Sequence, residues 1–512
     1  MSSSRTRGAF ARRLTFALIL PALAITAVGA RAAVVDPSLA AEARRGSPVD
    51  AIIVLADQSR PTLAPLREDA DRHTRRRALV DVLRARADRG QHGLRQWLDA
   101  RGIAHRDFWI ANVIQAQVPA SALVDLSARG DIARIDANPH IAMALPGDAP
   151  LVAPSAPQAT IAWGVSKVEA PAVWAEGHTG KGVVIGGEDT GYQWDHPALI
   201  SHYRGWDGSI ADHNYNWHDA IHDSSVNNPC GNDSPIPCDD NSHGTHTAGT
   251  FVGNDGAGNI IGVAPGAKWI GCRNMDKGIG TPARYIECMQ WMLAPTDLAG
   301  ANPNPDLGAD IVSNSWSCPS APPPAGEGCA PADILQATVA NLVAGGVFYV
   351  VAAQNSGSGC STILDPPAIY DESFDVGATD SSDRLANFSS RGPVLTSTLI
   401  RPDLSSPGVS VYSSVPLNSY GLKSGTSMAA PHVAGVAALL LSAFPALKGH
   451  PEKIASILRA TAVTAGVMNT SGVMQSCGGT PITQWPNNMA GYGRIDAWNA
   501  FHEVIFLDGF DG

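Results

Sequence analysis

Ser427 lies in the run Ser424-Gly425-Thr426-Ser427-Met428-Ala429-Ala430-Pro431-His432-Val433-Ala434. Small neighbours let another backbone come close to its hydroxyl, and the apolar run from Val433 to Leu441 reads as a buried helix. Proline is tolerated in a first helical turn, where the N–H it lacks would have no partner anyway. The spacing therefore predicts Ser427 at a helix N-terminus, where unpaired N–H groups and the helix dipole favour developing negative charge. That suits a nucleophile attacking a carbonyl. The plainer reading is a Gly/Ser turn capping a core helix.

A serine hydroxyl needs a base, and the base needs an orienting group. Asn241-Ser242-His243-Gly244-Thr245-His246-Thr247-Ala248-Gly249-Thr250 puts a histidine ahead of a small-residue helix start. Ile185-Gly186-Gly187-Glu188-Asp189-Thr190-Gly191 puts a carboxylate at the end of a buried strand. In open α/β sheets, ligands bind beyond the carboxyl ends of strands. Taken singly, the aspartate reads as a turn former and the histidine as structural. Three such motifs in the order Asp, His, Ser point to nucleophilic catalysis.

The elements that would hold these residues follow from hydrophobic patterning. Gly182–Ile185, Ile311–Ser313 and Val347–Val351 are near-continuous apolar runs, as expected of parallel strands covered on both faces. Pro331–Val343 reads as an amphipathic helix ended by Gly345-Gly346. Such alternation predicts an α/β domain with a central, mostly parallel sheet over residues 161–502, and a tail at 503–512. Ahead of it, residues 33–146 read as a small α+β domain. Its parts are a strand at Asp50–Leu55, a helix within 65–101, a strand at Val113–Val118, a helix from a Ser121 cap to Leu126, and a strand from Ile132. A Pro/Ala-rich linker, 147–160, joins the two.

The chain has 512 residues, 44% hydrophobic and 16% charged, which describes a globular protein with a sizeable core. Arg5, Arg7, Arg12 and Arg13 precede an apolar run from Leu14 to Val28 and the small-x-small site Ala30-Arg31-Ala32. Residues 1–32 therefore read as a secretory signal peptide, and the mature protein as secreted and free of the membrane. Eight cysteines suit an oxidising destination. Local pairs Cys230–Cys238, Cys272–Cys288 and Cys318–Cys329 are expected, leaving Cys360 with Cys477. Zinc ligation is the rival, although no C-x-x-C pair occurs. Residues 33–150 hold sixteen arginines and fifteen acidic residues, whereas 151–512 carry a net charge near −17. An acidic domain excludes nucleic acid as the expected partner.

These motifs resemble those of secreted subtilisin-family serine endopeptidases, whose chain order is Asp, His, Ser. Val263–Ala267, Phe388–Pro393 and Arg401–Gly408 are also typical of that family. Asp195–Leu199, Tyr203–Trp206 and Met292–Pro295 are most similar to the bacillopeptidase F branch. The resemblance covers about residues 160–500 and implies a three-layer subtilisin-like domain. Residues 33–146 resemble, more weakly, an inhibitor and chaperone propeptide.

By position, the resemblance makes Ser427 the nucleophile, His243 its base and Asp189 the orienter. His246 falls on the family's structural histidine, and Glu188 matches no catalytic position. Ala352-Ala353-Gln354-Asn355-Ser356-Gly357 aligns with the oxyanion-hole segment, so Asn355 would donate its side-chain amide beside the Ser427 N–H. Gln354 stands where the family usually has glycine, which narrows backbone freedom there. Ser315, Trp316 and Ser317 align with the substrate-pairing strand and one wall of the specificity pocket. Trp316 fits core and pocket equally. Neither segment carries a charge, so an uncharged, apolar P1 residue is expected. Ile141–Leu145 occupies the place where such precursors cut themselves, with processing expected near Leu145.

No cofactor is expected for the chemistry. Asp207, Asp212, Asp219, Asp223, Asp233, Asp239 and Asp240 crowd the insertion 207–240, which reads as a solvated loop or a structural calcium site, with no ligand set assignable. The expected partners are protein or peptide substrates and the chain's own propeptide, on a monomer. Two other readings are a sedolisin-like acid peptidase, against which His243 argues, and a non-catalytic binding or adhesion protein on the same scaffold.

Overall fold

The structure is a computed structural model. It describes residues 1–2, 32–58, 71–143, 151–152, 160–223, 228–319, 329, 331–469 and 475–507. Most of the expected signal segment, Leu145, most of the linker and the last five residues lie outside these.

The central sheet follows the order Trp217–Asp219, Lys268–Arg273, Val184–Asp189, Ile311–Asn314, Phe348–Ala352, Phe374–Thr379, with Leu404–Pro407 also paired to the last of these. All of these pairings are parallel. Side chains alternate between two cores, as the two-residue period of a strand demands. Ile311 and Val350 pack with Phe251 and the helix Thr426–Ala443 on one face. Val312 and Val351 pack with Ile286, Met289 and Leu342, from the helices Pro282–Leu293 and Gln336–Ala344, on the other. Helices therefore cover both faces, which is why the strands read as continuous apolar runs.

Residues 34–142 build a five-stranded sheet ordered Val34–Val35, Ile132–Ala137, Val49–Leu55, Val113–Val118, His105–Phe108. Ile52 and Val54 face the same core as Met289 and Leu342, while Ala51, Ile53 and Leu55 face a separate core with Leu94 and Leu98. This sheet is covered on both sides, by the helices of the large domain and by its own long helix Arg72–Asp99.

Several expectations shift. The helix expected from Pro331 begins at Gln336, after a turn. The helix placed at Ser121 starts at Ala120, with Pro119 at the cap and no side-chain capping bond. The linker is not wholly irregular, because Leu151–Val152 pairs with Tyr420 and Gly421. The final helix Ala497–Leu507 runs on into the expected tail. Pro431 is the sixth residue of the helix Thr426–Ala443, beyond its first turn. All four expected cysteine pairs are disulfide-bonded. Among the described residues Thr426–Ala443 is the only helix long and apolar enough to cross a membrane, and it is a buried core helix.

Candidate active site

Asp189 ends its strand, and His243 opens the helix His243–Val252. His243 Nδ1 lies 2.7 Å from Asp189 Oδ1, with both side chains 2% exposed. The carboxylate is held from other directions too: Oδ1 accepts the Thr190 N–H at 2.8 Å and Oδ2 the Thr247 hydroxyl at 3.2 Å. Gly244 is needed next to the histidine, since a Cβ there would sit 2.1 Å from the Gly191 carbonyl oxygen.

Asp239 ties the two elements together. Its carboxylate accepts the N–H groups of Asn241, Ser242 and Thr245 and the Thr190 hydroxyl. Thr190 Oγ1 in turn accepts the Gly244 N–H at 3.0 Å. These bonds hold Ser242 at a φ of 79°, a left-handed conformation that serine adopts only when its surroundings impose it. Burial raises the Asp239 carboxyl above its ordinary range even though these bonds favour its charged form.

Ser427 is the second residue of its helix, so its N–H is among those without an intrahelical partner. Its hydroxyl donates to the Ser315 carbonyl at 3.1 Å, and no hydrogen bond joins it to His243. His243 Nε2 is buried and has no hydrogen-bond partner among the described residues. Catalytic hydrogen bonds are often long or unformed in the absence of substrate. Asn355 Oδ1 accepts both the N–H (2.9 Å) and the hydroxyl (3.1 Å) of Thr426. With its oxygen so occupied, its amide N–H₂ remains to face the cavity.

That cavity, about 220 Å³, is lined by Ser315, Trp316, Ser317, Asn355 and Ser427, among others. Trp316 proves to be core and lining at once. It is 2% exposed and stacks on Tyr285 at 3.7 Å while forming part of the cavity wall. Asp365, outside both aligned segments, also lines the cavity. Ala142 and Met143 also line it. Ile141–Ala142 pairs antiparallel with Ile279–Gly280, and the Met143 N–H donates to the Gly278 carbonyl at 2.8 Å.

His246 is buried against the Val411 carbonyl at 3.0 Å, and burial lowers it to about 3. It is neutral and structural. Glu188 faces the sheet side opposite Asp189; it is fully buried, and that burial raises its carboxyl well above the usual range. The insertion aspartates are engaged by protein donors. Asp219 and Asp240 pair with Arg273, Asp223 with Arg284 and Asp233 with His222, while Asp207 and Asp212 accept nearby N–H groups. No cluster of three or more His, Cys, Asp or Glu suited to a metal occurs among the described residues.

Sequence reasoning missed Thr426, Thr247, Asp239, Asp365 and the Ile279–Gly280 strand. Thr426 and Thr247 sat inside motifs already singled out, and Asp239 was grouped with the possible calcium ligands. Asp365 and Ile279–Gly280 carried no local signal.

The profile described as the subtilase family matches residues 180–493. The chain belongs to the subtilase family, whose members are serine endopeptidases that need no cofactor for catalysis. It is 33% identical to bacillopeptidase F of Bacillus subtilis (strain 168) over 454 residues, 84% of this chain but 29% of that protein. It is 32% identical to subtilisin DY of Bacillus licheniformis, covering 60% of this chain and 93% of that one. Subtilisin Savinase of Lederbergia lenta is 31% identical over 61% of this chain and 95% of its own.

Proposed function

We propose that this subtilase is a secreted serine endopeptidase, made as a self-processing precursor and acting through Asp189, His243 and Ser427. The observation that carries the reading is the buried 2.7 Å Asp189–His243 pair at the end of the sheet where Ser427 and Asn355 share one cavity. Ser427 Oγ attacks the scissile carbonyl and its proton passes to His243 Nε2. Asp189, bonded at Nδ1, keeps the imidazole in the tautomer whose Nε2 accepts, and stabilises the imidazolium. The oxyanion takes the Asn355 amide and the Ser427 N–H. His243 returns the proton to the leaving amine. Water then releases the acyl group by the same steps reversed.

Residues 1–32 serve as the signal for export, and 33–146 as an inhibitory prosegment. Docking of Ile141–Ala142 on Ile279–Gly280, with Met143 at the Ser427 cavity, supports cleavage close by, near Leu145. The uncharged walls around Ser315–Ser317 and Ala352–Ser356 support an uncharged P1 residue, and Asp365 disfavours an acidic one. Fluorophosphonate labelling tests the reading. The processed wild type is expected to form an adduct on Ser427 and Ser427→Ala none. Absence of an adduct in processed wild-type protein sinks the reading and favours a non-catalytic scaffold. N-terminal sequencing of the mature form and a peptide-library profile test the cleavage site and P1; a start far from residues 144–160, or a preference for acidic P1, would contradict them.

A further inference from the structure

The long helix Arg72–Asp99 does more than cover its own sheet. Its first turns lie against the large domain at Asp306–Asp310 and Gly345, the end of the Ile311–Asn314 strand away from the cleft. Five residues of extended chain separate Asp310 from Ser315, about 16 Å. Arg76 is 2% exposed there. Its Nε donates to the Gly345 carbonyl and its Nη2 to the Ala309 carbonyl, each at 2.9 Å. Gly345 caps the C-terminus of the helix Gln336–Ala344, where the helix dipole favours a cation.

Arg77 reaches Asp306 at 2.7 Å, His73 lies 3.3 Å from the same carboxylate, and Arg72 pairs with Asp310. The large domain presents bare backbone to receive them. A Cβ on Gly308 would lie 2.6 Å from Arg76 Nη1, and one on Gly449 would lie 2.9 Å from the Arg72 Cβ. Burial lowers the Arg76 guanidinium to about 9, which still leaves it charged at neutral pH.

A fully buried arginine seated on two carbonyls, with a glycine clearing its path, is more than generic surface contact. We propose that the recess formed by Asp306, Gly308, Ala309, Asp310 and Gly345 is a second, arginine-specific docking site for the prosegment. It acts independently of the strand in the cleft and retains the prosegment in trans after the chain is cut. This rests on the reading of residues 33–146 as a prosegment. Charge favours it: the arginine-rich segment meets a domain with a net charge near −17. Two hydrogen bonds from a guanidinium outweigh an exposed ion pair, so Arg76 dominates and Arg77 is secondary.

The test uses the full chain carrying Ser427→Ala, with a site for an added protease placed within residues 153–159, so that cutting does not depend on self-cleavage. After the cut, the dissociation constant of the prosegment is measured on the immobilised large domain. Arg76→Ala is expected to weaken binding about 100-fold, and Arg77→Ala less than about 5-fold. Arg76→Lys keeps the charge but loses the forked geometry, and is expected to fall between them. The Arg76→Ala effect persists unchanged in an Ile141→Ala background, as for independent sites. Unaltered binding by Arg76→Ala, or a larger effect of Arg77→Ala, overturns the proposal. Should the Arg76 variants not fold, hydrogen exchange in the cut parent complex decides. Protection over residues 72–83 equal to that over 113–118 supports the anchor, and rapid exchange over 72–83 overturns it. Fluorophosphonate labelling of the wild type reports separately on the endopeptidase reading, since this binding assay requires no catalysis.

Discussion

Ser315 and Ser427 exchange hydrogen bonds: the Ser427 hydroxyl donates to the Ser315 carbonyl at 3.1 Å, and the Ser315 hydroxyl donates to the Ser427 carbonyl at 3.0 Å. Pro431 explains the second bond. It stands four residues after Ser427 and has no N–H, so the Ser427 carbonyl lacks its helical partner. A side chain from the neighbouring strand end supplies the donor instead. The pairing fixes the start of the helix against the segment that walls the cavity.

Ser315→Ala leaves that buried carbonyl without a donor while keeping the acceptor for Ser427 Oγ. The expected cost is about 1–3 kcal/mol of stability, with activity reduced through displacement of Ser427. In a Pro431→Ala background the restored N–H can serve the carbonyl, so the same substitution should cost less. Denaturant midpoints of the four proteins measure the coupling. Equal costs in both backgrounds would refute the assigned role of Pro431.

Asn355 is oriented by Thr426, whose N–H and hydroxyl both hold Oδ1. Asn355→Leu is expected to lower kcat about 100- to 1,000-fold with little change in KM, the magnitude known for the oxyanion-hole asparagine of a subtilisin. Thr426→Val keeps the N–H and removes the hydroxyl, so it should lower kcat less. An Asn355→Leu enzyme with wild-type kcat would place the oxyanion elsewhere.

A pH-dependent clamp joins the insertion to the helix Pro282–Leu293. His218 Nε2 lies 2.8 Å and His222 Nε2 2.9 Å from Glu287 Oε1, and His222 Nδ1 pairs with Asp233. Burial opposes the charge on Glu287, but its bonds to both histidines outweigh that and hold its pKa well below the usual range. Burial likewise opposes the charge on His222, with Arg106 adding repulsion, yet Glu287 and Asp233 prevail and raise it. The Glu287 contribution is present above its ordinary value of 4.5 and fades as pH falls through the depressed one. The His222 contribution is full below 6.5 and fades as pH rises through the raised value. The clamp is therefore tightest between these two pH values. Hydrogen-exchange protection over residues 217–223, corrected for the intrinsic pH dependence of exchange, should fall above that window as the His222 contribution is lost. His222→Gln should flatten the response; a variant that keeps the full pH dependence excludes the clamp.

Legibility in the sequence followed burial and local pattern. The strands Ile311–Asn314 and Phe348–Ala352 were readable because both their faces are covered. The strand His105–Phe108 was not, since its residues HRDF are mostly polar and it pairs on one side only, at the sheet edge. Asp189, His243 and Ser427 stood out through their small, glycine-rich surroundings, and Asn355 through the resemblance of its segment to that of the family. Asp239 and Thr426 did not, because a carboxylate or hydroxyl that positions a neighbour has no pattern of its own. Gln354 shows what local reasoning reaches. A restricted backbone was expected there, and the residue holds a φ of 77°, fastened by side-chain bonds to Asp365 and Leu364. That those bonds bring Asp365 to the cavity depended on tertiary contact alone.

The four disulfides differ most in the length of chain they close. Cys360–Cys477 spans 117 residues, whereas Cys230–Cys238 spans 8. In the chain-entropy account, loops of these lengths stabilise by about 5 and about 2.5 kcal/mol respectively. The longer one also joins the loop after Asn355 to the small core around Leu385 and Met489. Replacing both Cys360 and Cys477 by Ser is therefore expected to lower the denaturation midpoint more than the same change at Cys230 and Cys238. Because Cys360 follows Asn355 by five residues, it should also lower kcat. The short disulfide closes a surface insertion whose carboxylates are already anchored by Arg273 and His222, so its loss should leave kcat near the parent value. A reversed order of stabilities would show that strain or residual structure in the unfolded chain, rather than loop entropy, governs these bonds.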